Sequence, residues 1–169
     1  MFIKTRSGPV KRAIFTVLQR MPDHARRRVQ EFISVIWAQR DYSTFGLDGI
    51  DRASAGLFPL YNNLKEIGEK EYAAQVIVTL PIFHLFSPRA QVGIIAHEFA
   101  HAERASRLGS GWHEQMQSRY SAEEKLADAI AIRWGFGADI SVLHNERHTT
   151  VNPIFEARVP KIMRRLNEE

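Results

Sequence analysis

The chain has 169 residues, of which 44% are apolar and 25% are charged, a composition that excludes a disordered protein. It contains no cysteine, so disulfides and thiolate ligands are excluded, and a bound metal would need His, Asp or Glu ligands. The longest apolar run, residues 73–86, is shorter than the roughly 20 residues that a membrane-spanning helix needs.

The net charge of +4 is unevenly distributed, because residues 1–40 carry nine Lys or Arg and only two acidic residues. A basic patch of this kind can bind nucleic acid, although arginine-rich helix faces are more often simply solvated. The first six residues lack the continuous apolar segment of a secretory signal. We therefore expect a cytoplasmic protein, and we expect its basic helix faces to be solvated rather than bound to nucleic acid.

The N-terminal half contains two predicted helices and one predicted strand. Apolar residues at helical spacing predict helices over 10–20 and 24–39. Residues 42–55 contain glycines among Asp and Ser and are typical of a loop, whereas residues 57–64 favour no single assignment. The β-branched run at 72–80 predicts a strand that ends at a proline.

The second half begins with a strong helix-start signal, Ser87 as cap and Pro88 at the first helical position. This helix is predicted to continue to about Leu108, where Gly109 stops it. A second helix is predicted to begin between residues 112 and 121 and to pass through Trp134. Residues 139–152 give mixed signals, and residues 153–166 could form a closing helix.

The most informative residues lie within the first of these helices and form an H-E-x-x-H motif. Positions i and i+4 share a helix face, so His97 and His101 can bind one cation. Glu98 lies about 100° further round the helix, where it can accept a proton from a zinc-activated water. The helix is apolar nearly all round, and buried histidines need partners. We therefore predict a catalytic zinc site in which Glu98 is the general base.

The residues alone leave the third zinc ligand open. The metzincin pattern is excluded, because Arg104 and Arg107 stand where it requires Gly and His. A glutamate from the next helix is one answer. Glu123 lies nearer the middle of that helix's apolar face, whereas Glu124 lies at its rim and could instead close a capping box with Ser121.

The segment from Glu124 to Phe136 adds a resemblance to a known family. Its pattern E-x-x-A-D-x-x-A, followed by Gly135 and Phe136, resembles the gluzincin metallopeptidases of the HtpX and CAAX-protease type, with the ImmA-like proteases as looser relatives. The resemblance covers residues 88–136, and compact soluble minigluzincins are the better match in size. It implies that Glu124 is the third ligand and that Asp128 is the carboxylate that orients a ligand histidine.

A different resemblance supports a histidine as third ligand. His113 lies 12 residues after His101 and follows a Gly-rich turn, as in SprT-type domains, which act on DNA-linked proteins. This alternative leaves the pattern between Glu124 and Phe136 unexplained.

Together these features predict one zincin-like α+β domain over residues 1–169, mainly helical, with a small sheet whose edge strand borders a zinc cleft. Its basic helical part would cover 1–45 and its catalytic core about 70–136. The expected activity is zinc-dependent hydrolysis of a peptide or protein that adds as a strand along residues 73–80. Candidates for stabilising the oxyanion are Tyr120, His144 and His148.

The main alternative from another functional class is a non-catalytic protein. It would keep zinc for stability and would use its basic N-terminal helices to bind nucleic acid or a protein partner.

Overall fold

The computed structural model describes residues 1–39, 54–59, 74–151 and 153–154. It is mostly helical with a four-stranded mixed sheet, which agrees with the α+β prediction. The elements are β1 (Phe2–Lys4), α1 (Gly8–Arg20), α2 (Asp23–Phe32), β2 (Ile33–Gln39), β3 (Ala55–Pro59), β4 (Ala74–Thr79), α3 (Leu80–Phe83), α4 (Pro88–Leu108), α5 (Trp112–Gln117), α6 (Tyr120–Ala131) and α7 (Gly137–Glu146). Two π-helical segments flank α7: Ile132–Phe136, which is kinked at Gly135 with φ of 93°, and Arg147–Val151.

The sheet has the strand order β1-β2-β4-β3. The first three strands are parallel, and β3 pairs antiparallel with β4. Strand β4 is almost wholly buried, as expected for an interior strand with a β-branched sequence. Because β3 pairs with β4 on one side only within the described sheet, it is an edge strand.

This topology corrects one prediction about substrate binding. The strand predicted at 72–80 is present as β4, but it is paired with β2 on one side and with β3 on the other. A peptide therefore cannot add along residues 73–80, since the backbone groups that would bind it are already used. The unpredicted strand β3 provides the edge instead.

A second correction concerns the helix predicted over 24–39. Helix α2 ends at Phe32, and residues Ile33–Gln39 form β2 between β1 and β4. The reason lies in the β-branched residues Ile33, Val35 and Ile36, which lose side-chain freedom in a helix but fit a pleated sheet. Their pairing partners, Ala74–Thr79 and Phe2–Lys4, are distant in sequence, so the local pattern concealed the change.

Helix α4 lies at the centre of the molecule and has the predicted ends. The Ser87 hydroxyl accepts a hydrogen bond from the Ala90 backbone amide at 3.3 Å, and Gly109 ends the helix with φ of 71°. Helices α1, α2, α6 and α7 all pack against α4. At Gly93 the approach of α7 is so close that a Cβ atom would lie 2.6 Å from the Asp139 carbonyl oxygen.

The remaining predictions have mixed outcomes. The helix predicted over 10–20 is α1, and the helix predicted to pass through Trp134 is α6 with its π-helical extension. Residues 139–152, which gave mixed signals, lie largely in α7 and the segment that follows it. The predicted loop at 42–55 and the closing helix at 153–166 lie almost entirely outside the described residues. Among the described helices, none has the length and apolar character required to cross a membrane.

Candidate metal centre

The two histidines of the motif project from one face of α4. Their Nε2 atoms lie 3.0 Å apart, and their rings stand nearly perpendicular, at 87°, with centroids separated by 4.6 Å. Each histidine is less than one-tenth exposed. Four residues is slightly more than one helical turn, which is why the two rings meet above the same face of the helix.

Helix α6 packs against α4 and places a carboxylate at the same point. Glu124 Oε1 lies 3.1 Å from His101 Nε2, and Glu124 Oε2 lies 3.3 Å from His97 Nε2. Ligand atoms from His97, His101 and Glu124 all lie within 4.8 Å of one another. These three residues therefore form a group that could hold a metal ion.

The spacing within this group matches the size of a zinc coordination sphere. Tetrahedral zinc with bonds of about 2.0–2.1 Å holds its ligand atoms about 3.3 Å apart. The observed separations are 3.0, 3.1 and 3.3 Å. The buried Nδ1 atom of His101 has no hydrogen-bond partner among the described residues, whereas Nε2 of the same ring contacts His97 and Glu124. Two imidazoles and a carboxylate are also a donor set that zinc prefers.

Asp128 holds His97 in the orientation that this arrangement needs. Its Oδ1 lies 2.8 Å from His97 Nδ1 and accepts the proton there, which directs Nε2 at the cluster. Its Oδ2 lies 2.7 Å from His144 Nε2 on α7. Asp128 thus connects α4, α6 and α7 at the back of the site. His144, predicted as an oxyanion donor, contacts Asp128 instead and is not among the cleft-lining residues.

Without a metal, the cluster strongly favours a bound proton. Burial alone would lower the pKa of His97, but hydrogen bonds to Asp128 and Glu124 and the charge of Glu98 raise it to about 10. Burial would raise the pKa of Glu124, but hydrogen bonds to His101 and His97 hold it well below its usual range. The pKa of Asp128 is lowered in the same way by His97 and His144. The site therefore concentrates negative potential where a cation would bind.

Glu98 lies beside the cluster without belonging to it. Its side chain is almost fully buried, and burial raises the pKa of its carboxyl group. The positive charges of His97, His101 and Arg147 oppose this shift, whereas the carboxylate of Glu124 adds to it. A carboxylate with a raised pKa is a stronger base than one in water, which suits proton transfer.

These residues face a cleft of about 280 Å³. One wall is the edge strand β3, and the remaining walls come from α4, α5, the start of α6 and Arg147. Several lining side chains are apolar: Leu57, Phe58, Trp112 and Met116. The predicted arrangement, in which an edge strand borders the cleft, is therefore present, although β3 is the strand that forms it.

The alternative third ligands lie elsewhere. The Glu123 carboxylate is buried and pairs with Arg104 Nε at 3.3 Å. The His113 ring packs edge-on against Trp112, with centroids 5.5 Å apart, and lines the cleft outside the three-residue group. The suggested capping box is absent, because α6 begins at Tyr120 with no side-chain cap and the carboxylate of Glu124 contacts the histidines.

The other predicted site residues occupy different positions. Tyr120 lines the cleft and is 58% exposed, whereas His148 is exposed and is not a lining residue. Arg147 lines the cleft and was not predicted. Nothing in the local sequence distinguishes Arg147 from the other arginines. Only the packing of α7 against α4 brings it to this position.

Part of the basic N-terminal charge is used inside the protein. Arg20 pairs with the buried Asp139 at 2.8 Å, and Arg28 pairs with the buried Glu103 at 3.2 Å. These two arginines tie α1 to α7 and α2 to α4. Their role reduces the share of N-terminal charge that is free to bind a polyanion.

No family model matches the chain, and searches of curated proteins and of solved structures find no significant match. The functional argument therefore depends on the geometry of the site.

Proposed function

We propose that this protein is a zinc-dependent peptidase. The observation that carries the proposal is the convergence of two imidazole nitrogens and a carboxylate at separations of 3.0–3.3 Å, beside a buried glutamate that is not part of the group. Three protein ligands leave a fourth position for water or substrate, which is typical of catalytic rather than structural zinc. This argument favours a catalytic role over a purely stabilising one.

In this proposal His97, His101 and Glu124 hold the zinc. When bound, the metal would act as a Lewis acid that lowers the pKa of water and polarises a carbonyl group. Asp128 fixes the ring orientation and tautomer of His97 through the 2.8 Å contact to Nδ1. The carboxylate of Glu124, one turn before Asp128 on α6, supplies the negative charge that balances part of the cation's charge.

Glu98 is the proposed general base and acid. It removes a proton from the attacking water and later delivers it to the nitrogen of the leaving amine. Burial favours both steps, because it keeps the carboxylate and the transferred proton away from solvent. Nearby positive charge keeps the group ionisable despite its burial.

The edge strand β3 is the proposed binding surface for the peptide backbone. Its register with β4 runs from Ala55 opposite Val78 to Pro59 opposite Ala74, and it is the last strand in the described strand order. An extended peptide could add to its outer side as a further strand, with alternate side chains pointing toward the cleft. The apolar walls favour a substrate with at least one apolar side chain at the site.

The test compares wild type with Glu98→Gln, both loaded with zinc, on a mixture of fluorogenic peptides. We expect the variant to bind zinc at one equivalent and to lose at least about 99% of cleavage, since a general base typically contributes 10²–10⁴-fold. Glu31→Gln is the matched control, because Glu31 is exposed on α2 and away from the cleft. Equal cleavage by wild type and Glu98→Gln would rule out this mechanism, and zinc binding without any cleavage would favour the non-catalytic alternative.

A further inference from the structure

The cleft contains a half-buried arginine whose guanidinium has no carboxylate partner among the described residues. Arg147 begins the π-helical segment that follows α7 and lines the cleft together with Glu98 and the three-residue group. Its Nε atom is buried and has no hydrogen-bond partner within the described part of the chain. A guanidinium that lines a cleft without a direct partner can bind a ligand that supplies an acceptor.

The contrast with the other arginines near buried carboxylates strengthens this point. In the described part of the chain, each buried carboxylate outside the metal site has at least one arginine: Glu123 has Arg104, Asp139 has Arg20 and Arg89, and Glu103 has Arg28 and Arg107. No acidic group of the described residues lies within ion-pair distance of Arg147. Arg147 therefore makes no direct ion pair within the described residues, although its charge acts on the neighbouring Glu98 carboxyl and opposes the rise in the pKa of that group.

The charge balance of the cleft favours an anionic partner. With a divalent cation bound, the negative charges of Glu98 and Glu124 would be neutralised, and Glu123 is already paired with Arg104. Arg147 is the one arginine or lysine among the described lining residues. The cleft would therefore keep one positive charge. A guanidinium binds a carboxylate through two parallel hydrogen bonds, which combines charge and geometry.

We propose that Arg147 binds a carboxylate of the substrate and selects peptides that carry one near the reacting bond. The carboxylate could be the C-terminus of the peptide or an acidic side chain, and both would present the same chemistry to the guanidinium. The small volume of the cleft suits a substrate held by one apolar side chain and one anionic anchor. This inference rests on the proposed peptidase function and names its substrate class.

The test measures peptide binding, so that it does not depend on catalysis. All proteins carry Glu98→Gln and are loaded with zinc. The probes are four N-acetylated pentapeptides of alanine and phenylalanine: one with a free C-terminal carboxylate, its C-terminal amide, and two amides that contain one glutamate or one glutamine. Affinities come from isothermal titration calorimetry. Arg147→Met removes the charge, and Arg147→Lys keeps the charge but cannot make two parallel hydrogen bonds. Arg133→Met is the control on an exposed arginine.

We expect at least one carboxylate peptide to bind more tightly than its neutral partner, and Arg147→Met to reduce only that affinity, by about tenfold to a hundredfold. Arg147→Lys should lose part of this preference and Arg133→Met none. The pair that shows the preference identifies the carboxylate as terminal or side-chain. Thermal denaturation followed by circular dichroism establishes that each variant is folded.

Three results would overturn the inference: equal binding of carboxylate and neutral peptides by the parent protein, equal losses for both classes in Arg147→Met, or no binding of either carboxylate peptide. The outcome is separable from the proposed function. Cleavage of neutral and acidic peptides at similar rates would leave the peptidase standing without this role for Arg147. Carboxylate-selective binding without cleavage by the wild type would leave the role of Arg147 standing without the peptidase.

Discussion

Removing the Asp128 carboxylate should weaken zinc binding although Asp128 does not touch the metal position. Asp128 makes two hydrogen bonds, 2.8 Å to His97 and 2.7 Å to His144. Losing the partner of a metal-bound histidine typically lowers metal affinity by 10–100-fold. We expect Asp128→Ala to reach the upper end, about 100-fold or roughly 2.7 kcal/mol, because it frees the His97 ring and its tautomer.

Two further variants should lose less zinc affinity than Asp128→Ala. Asp128→Asn keeps an oxygen that can accept from His97 Nδ1 but loses the charge, so we expect a loss of about tenfold. His144→Asn removes the outer contact only, and since His144 is 45% exposed, water can replace it, with a loss below about threefold. The assay is competition for zinc against a chromogenic chelator at pH 7. Wild-type affinity in Asp128→Ala, or equal losses in all three variants, would refute the reasoning.

Three other predictions follow from the site and its supports. Glu124→Gln should lower zinc affinity by at least about 100-fold, whereas Glu123→Gln should change it by less than about threefold. Chelator competition measures both affinities. A larger loss in Glu123→Gln than in Glu124→Gln would assign the ligand to Glu123. Gly93→Ala should lower the free energy of unfolding of the zinc-free protein by about 1–3 kcal/mol, because the new methyl group would lie 2.6 Å from the Asp139 carbonyl oxygen. Urea unfolding measures this change. Unchanged stability would contradict the close packing of α7 on Gly93. The pKa of His97 is raised from 6.5 to about 10, so its ion pairs stabilise the zinc-free fold fully below pH 6.5 and are lost as the pH rises toward 10. The melting temperature of the zinc-free protein should therefore fall over that range. The increase in melting temperature that zinc adds should grow over the same range, because fewer protons compete with the metal. A zinc increment that shrinks with rising pH would contradict this competition between metal and proton.

The shared face of α4 that carries both histidines could be predicted from sequence because every step is local. Ser87 and Pro88 start the helix, Gly109 ends it, and four residues between His97 and His101 place both on one face. Helical geometry then fixes their relation whatever the rest of the chain does. The resemblance extended this reasoning to Glu124 and Asp128, and the structure brings both to the histidines.

The sheet could be predicted only in part because strand pairing is not local. Residues Ile33–Gln39 continue the apolar pattern of α2, and nothing nearby indicates that they pair with β1 and β4. The edge strand β3 was missed for a related reason. Its sequence, Ala55–Pro59, contains a glycine and a proline and has little strand propensity of its own, so its place depends on pairing with β4.

The polar lining of the cleft also could not be predicted from local sequence patterns. Arg147 carries no motif, and its position depends on the close approach of α7 to Gly93 on α4. His144 has the right residue type for an oxyanion donor, but the approach of Asp128 from α6 assigns it to a different contact. In both cases the deciding factor is the packing of one helix against another.

X-ray absorption spectroscopy of the zinc-loaded wild-type protein tests the central claim most directly. The account predicts one zinc per chain with two imidazole ligands, and with carboxylate and water oxygens completing four ligands at about 2.0–2.1 Å. A spectrum with three imidazoles would assign the third ligand to a histidine such as His113. A protein that fails to retain zinc after metal is supplied would contradict the metal centre itself.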